Sequence, residues 1–166
     1  YTDFLYNATN RDWNAMTDDM LKIKNCFDDA KDVRIYVPGQ TELYLSFEGR
    51  GGKMCKGKMN LPDGEVCYGP VENSANGEIY FQYKYCLNSN EVRGIRLKFE
   101  DGNIIKYSAD ANKEFLEEVL NLEGLTRIGE LGIGCNPGIK KYTNNILFDE
   151  KIDGTIHLAL GYSYKY

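Results

Sequence analysis

Two alternating runs joined by an aspartate and a glycine set the tightest limit on how this chain can fold. Ile95, Leu97 and Phe99 alternate with Arg96 and Lys98, Asp101-Gly102 follows, and Ile104 to Tyr107 continues beyond it. Asp-Gly supplies the positive φ angles of a tight turn, and period-two alternation buries one face of each strand. The segment is predicted as an antiparallel hairpin whose apolar face needs a sheet and a core.

Other segments supply them. Val33 to Val37 alternates and stops at Pro38-Gly39, Leu43 to Phe47 alternates again, and Ile79 to Tyr85 is rich in aromatic strand formers. Ile128 to Ile133 and Thr155 to Leu160 read as buried strands, and Gly49 to Lys53 as a loop. Residues 3-30 carry apolar side chains at helical spacing from Phe4 to Phe27. Thr17 and Met20 make no capping box, so nothing marks a break there. Ala111 to Leu122 reads as a second helix, with Phe115, Leu116, Val119 and Leu120 on one side and Glu114, Glu117 and Glu118 on the other. The fold class is α+β: a mixed, largely antiparallel sheet with flanking helices.

A length of 166 residues suits one domain, residues 1-166. A net charge of -5 argues against a nucleic-acid footprint, and no apolar run reaches the length of a membrane span. The five cysteines are odd in number, widely spaced and without a C-x-x-C, which fits free thiols in a reducing cytoplasm. The sequon Asn7-Ala8-Thr9 points instead to a secreted, glycosylated interaction domain, but it falls within a predicted helix.

Two glycine clusters suggest nucleotide binding and fail on spacing. Gly132-x-Gly134-x-x-x-Gly138 has one residue too many for the dinucleotide fingerprint, and Gly49 to Lys53 lacks the Walker spacing.

Three residues stand out against their surroundings. His157 is the one histidine and sits among apolar strand residues. Glu65 opens an apolar segment after Leu61-Pro62-Asp63-Gly64, and Glu130 interrupts an expected buried strand. Singly, each has an ordinary reading: a hydrogen-bonded core histidine, a turn glutamate, an edge-strand glutamate. A carboxylate in apolar surroundings is costly unless paired or metal-bound. Together the three suit a hard or borderline divalent metal.

The surrounding blocks strengthen that reading. Asn60-Leu61-Pro62-Asp63-Gly64-Glu65-Val66-Cys67-Tyr68-Gly69-Pro70-Val71-Glu72 resembles an "MPDGEVFTAPVE" block. Glu130-Leu131-Gly132-Ile133-Gly134-Cys135-Asn136-Pro137-Gly138 resembles "ELGIGTNPGI", and Leu147 to Lys151 with Gly154 to Gly161 resembles "LFDEK...GTIHLALG". The chain thus resembles the thermophilic metalloaminopeptidase family, the aminopeptidase T and S group, over nearly its whole length. The resemblance implies a two-metal peptidase acting on the N-termini of peptides, with zinc, cobalt or manganese as the two divalent ions. Glu65 would be a terminal ligand of one metal, Glu130 would bridge both, and His157 would ligate one. Tyr164 would offer its phenol to the substrate carbonyl oxygen as the tetrahedral intermediate forms.

The family pattern carries a further His and Asp ligand block after the equivalent of Tyr164, and an N-terminal domain before the equivalent of Tyr1. The resemblance therefore implies a catalytic-domain fragment truncated at both ends, part of the C-terminal catalytic domain of a larger homodimeric protein and inactive alone. Cys67-Tyr68-Gly69 stands where the family has "FTA". The competing reading is a non-catalytic binding or regulatory domain that keeps the fold.

Overall fold

The computed structural model describes residues 1-87 and 89-164. The expected helix over residues 3-30 is two helices, α1 (Thr2–Thr9) and α2 (Trp13–Phe27). The break lies at Asn10 to Asp12, not near Thr17. Asp12 takes the N-cap position, and its carboxylate accepts the N–H groups of Asn14 and Ala15 at 3.1 Å each. The apolar spacing runs through this cap, which is why periodicity alone joined the two helices. The second expected helix is trimmed to α3 (Lys113–Leu120), with Asn112 before it in the left-handed region at φ 57. The four-residue α4 (Ile146–Asp149) is capped by Asn145.

Among the described residues, eleven strands follow in chain order: β1 (Val33–Val37), β2 (Thr41–Leu45), β3 (Lys53–Cys55), β4 (Glu65–Tyr68), β5 (Asn76–Phe81), β6 (Tyr85–Leu87), β7 (Asn90–Val92), β8 (Ile95–Glu100), β9 (Asn103–Ser108), β10 (Ile128–Gly134) and β11 (Ile156–Leu160). They form a five-stranded sheet ordered β1-β2-β5-β8-β9, a four-stranded sheet ordered β11-β10-β4-β3, and the hairpin β6-β7. Every strand pair described is antiparallel, with one parallel bridge between Asn136 and Ile152.

The β8-β9 hairpin forms as expected, with Asp101 and Gly102 at φ 47 and 80 in its turn. The aromatic run from Ile79 breaks after Phe81 and feeds two sheets. Strand β2 starts and ends two residues before the expected Leu43 to Phe47; Phe47 leaves the strand and still reaches the core.

One apolar core joins both larger sheets. Leu43, Ile79, Leu97 and Phe99 meet Val66, Tyr68 and Leu131, with Met20 of α2 and Leu116 and Leu120 of α3. Phe47 stacks on Tyr68 with ring centroids 4.5 Å apart. Burying side chains of this size stabilises by about 1.5–3 kcal/mol each. Strand β11 is less buried than expected: Ile156 and Ala159 are exposed, because β11 is an edge strand of its sheet. No helix among the described residues is long and apolar enough to cross a membrane.

Candidate metal centre

Strand β4 is buried along its whole length, on both faces. Val66 and Tyr68 enter the apolar core, so alternation sends Glu65 and Cys67 to the opposite face. The register shows what shares that face. Cys67 pairs with Gly132, and Gly132 with His157; Glu65 pairs with Cys55 on one side and Gly134 on the other. Glu130, two residues before Gly132, joins them. A bulge at Gly129 lets Ile128 and Leu131 both reach the core while Glu130 points away from it.

Glu65, Glu130 and His157 therefore converge, as their sequence contexts suggest. His157 Nε2 lies 3.3 Å from Glu130 Oε1 and 3.7 Å from Glu65 Oε2. Glu65 is 5% exposed, whereas Glu130 is half-buried at the open side of the cluster. The buried atoms Glu65 Oε2 and His157 Nδ1 have no hydrogen-bond partner. The cluster lies on one face of the four-stranded sheet. The cavities of about 330 and 610 Å³ are lined by other residues, around Arg127 and Arg11 respectively.

Two members, Lys151 and Glu150, escaped sequence reasoning. Lys151 is 1% exposed, and its Nζ lies 3.2 Å from Glu65 Oε1 and 3.1 Å from Glu150 Oε2. A lysine beside aspartates and glutamates reads as a solvated face, so nothing in the local sequence marks it as buried.

Burial pushes the Glu65 carboxyl up, and the charges of Lys151 and His157 only partly offset this. For Lys151, burial works against the charged form, but Glu65 and Glu150 outweigh it and raise the ammonium above its usual range. For His157, burial lowers the imidazole; the Glu130 hydrogen bond and the charges of Glu150, Glu65 and Glu130 outweigh it and raise it. A hydrogen bond with Cys55, then burial and the nearby Glu65 and Glu130 carboxylates, push the Cys67 thiol up.

The connections that hold Glu65 are well anchored. Asp63 is fully buried, and its Oδ2 accepts the N–H groups of Gly57 at 2.8 Å and of Lys58 and Met59 at 3.1 Å. Asn136 Nδ2 donates to the carbonyls of Ala8 at 2.9 Å and Asp63 at 2.8 Å, while its Oδ1 accepts the Gly138 N–H at 2.9 Å. One amide thus ties the Leu61 to Glu65 turn, the end of β10 and helix α1 together.

Glu65, Glu150 and His157 each place a ligand atom within 4.8 Å of the others, and Glu130 adjoins through His157. Carboxylate oxygens with an imidazole nitrogen, two of their atoms unpartnered, fit a divalent metal. Tyr164 runs beside β4: a Cβ on Gly69 would stand 2.1 Å from its carbonyl oxygen, and Tyr164 as a whole is 66% exposed.

Residues 7–166 match the model of the thermophilic metalloprotease (M29) family. The chain belongs to this family. It is 32% identical over 110 residues to aminopeptidase 2 of Geobacillus stearothermophilus, covering 63% of this chain and 26% of that one. It is 30% identical over 118 residues to aminopeptidase T of Thermus aquaticus, covering 68% and 28%. It is 31% identical over 112 residues to aminopeptidase PepS of Streptococcus thermophilus, covering 63% and 26%. The matched segment spans little more than a quarter of these relatives.

The fold is also that of the solved structure of wild-type AmpT from Thermus thermophilus, with TM-score 0.73 and 24% identity over 92% of this chain and 43% of that one. A 2,5-dihydroxypyridine dioxygenase from Pseudomonas putida KT2440 shares the fold at TM-score 0.70 and 15% identity, over 90% and 48%. The family expected from the sequence blocks and the α+β architecture expected from the strand and helix patterns both hold.

Proposed function

We propose that this chain carries part of the two-metal centre of an aminopeptidase that removes N-terminal residues from peptides. The observation that carries the reading is the convergence of Glu65, Glu130 and His157 from three distant segments onto one sheet face. Membership of a metalloprotease family, and relatives named as aminopeptidases, support it. Glu65 would hold one ion, Glu130 both and His157 one, and mixed carboxylate and imidazole ligation suits zinc, cobalt or manganese. Two such ions, when bound, acidify a shared water and polarise the peptide carbonyl.

The chain's own groups prepare that chemistry. Glu65 and Glu130 bring negative charge to a face that the apolar core keeps dry on its far side. Lys151 balances Glu65 and Glu150 beneath it. Tyr164 would donate a hydrogen bond to the substrate carbonyl oxygen. Five free cysteines support a cytoplasmic setting, and we propose a homodimer for the larger protein.

The test replaces Glu65, Glu130 and His157 by Gln one at a time. Divalent-metal binding by the chain should fall in each variant. Release of leucine from a leucyl peptide should fall in the protein that carries this segment. Wild-type metal binding in all three variants would sink the reading.

Lys151 favours a second reading, a non-catalytic binding domain. Its ammonium already neutralises Glu65 without any metal. A wild-type chain that binds no divalent metal would support this reading over the first.

A further inference from the structure

Beside the carboxylate and imidazole cluster lies a pair of thiols that it does not use. Cys55 and Cys67 sit on β3 and β4, diagonal to one another and on the same face as Glu65. One ligand atom from each of Cys55, Glu65 and Cys67 lies within 4.8 Å of the other two. All three residues are buried, at 5%, 5% and 3% exposure. From the residues and register on this face, we propose that Cys55, Cys67 and Glu65 form a binding site for one thiophilic divalent cation of the Zn2+ or Cd2+ class, separate from the His157 cluster but sharing Glu65.

The geometry is near what such an ion needs. A zinc–sulfur bond of about 2.3 Å in a tetrahedron puts two ligand sulfurs about 3.8 Å apart. Sulfur atoms no more than 4.8 Å apart reach that spacing by closing about 1 Å or less, within the range of small side-chain rotations. A second observation also points to a ligand. Glu65 Oε2 is buried without a hydrogen-bond partner, 3.7 Å from His157 Nε2, an arrangement that costs stability unless something satisfies it. Three protein ligands leave a fourth position open, as in zinc sites that accept water or a substrate atom.

The donor types then choose the ion. Paired thiolates favour zinc and cadmium over magnesium and manganese, which prefer oxygen. Binding balances simply: the divalent cation forms one bond to each sulfur, and each thiol releases its proton to solvent. The ordinary alternative is that Cys55 and Cys67 act as small apolar side chains. That alternative accounts for their burial, but not for a carboxylate ligand atom lying within 4.8 Å of both sulfurs.

This site needs Glu65 but not the peptidase reading, and one titration separates them. Cobalt(II), then cadmium(II), are added to the chain held reduced by a phosphine. The expected result is a thiolate-to-metal charge-transfer band that saturates at one equivalent. It disappears in Cys55→Ser and in Cys67→Ser and persists in His157→Gln. Should the serine variants unfold, cadmium on the wild-type chain must protect Cys55 and Cys67 from alkylation while Cys26, which is exposed, stays reactive. Absence of the band overturns the site. So does a band kept by both serine variants, or alkylation of Cys55 and Cys67 unaffected by cadmium. Failure of His157→Gln and Glu130→Gln to alter metal binding would count only against the peptidase reading.

Discussion

A Cβ atom placed on Gly132 would stand 1.9 Å from His157 Cε1. The imidazole occupies the space that any side chain at position 132 would fill, and this lets it reach from the edge strand β11 across β10 towards Glu65. Gly132→Ala should therefore displace His157 while leaving the sheet intact, because the backbone here has no left-handed strain. A displacement of about 1 Å in such a group costs about a hundredfold in activity. Metal binding should weaken while circular dichroism stays that of the wild type; unchanged metal binding would separate Gly132 from the site.

Glu130→Gln should act on His157 before any metal is added. The Glu130 carboxylate and its hydrogen bond are among the causes that raise the imidazole. Gln keeps the volume and removes the charge, so the imidazole titration followed by NMR in excess chelator should move to lower pH. Metal content should fall as well. An imidazole that titrates at the wild-type pH would mean that this contact does not form in solution.

Lys151 is the buried countercharge of Glu65 and Glu150. Lys151→Met removes it and leaves the carboxylates facing one another with little water. Breaking a buried pair in this way costs about 3–5 kcal/mol. Chemical denaturation in chelator should show that loss, and divalent metal should restore part of it by supplying the missing positive charge. A loss of less than about 1 kcal/mol would recast the pair as solvent-screened.

The pH dependence of the metal-free chain follows from the same cluster. His157 and Glu65 both have raised folded values. A raised value contributes stability that is present below the unfolded value and lost as pH rises through the folded one. For His157 the unfolded value is 6.5. Melting in chelator should thus show wild type losing stability relative to His157→Gln as pH climbs above that point. In excess metal the trend should reverse, because metal binds the deprotonated groups. A wild-type chain that gains on the variant with rising pH in chelator would contradict the assignment.

Much of the fold and part of the site could be read from local signals. The β8-β9 hairpin announced itself through Asp101-Gly102, and Glu65, Glu130 and His157 through carboxylates and an imidazole set in apolar strands. Lys151 could not be read, because its burial depends on where a four-residue helix packs and not on its neighbours in sequence. The pairing of Cys55 with Glu65 was equally hidden, since strand register is a long-range property. The break between α1 and α2 was visible in Asp12, but the helical spacing on either side masked it.

Strand β4 offers no side to water. Its amides should accordingly exchange with solvent deuterium only when the whole domain opens, as late as those of the central core strands. The arrangement of Glu65 and Cys67 then cannot soften independently of the fold, and the face they share works as a rigid template to which an incoming ion or peptide must conform.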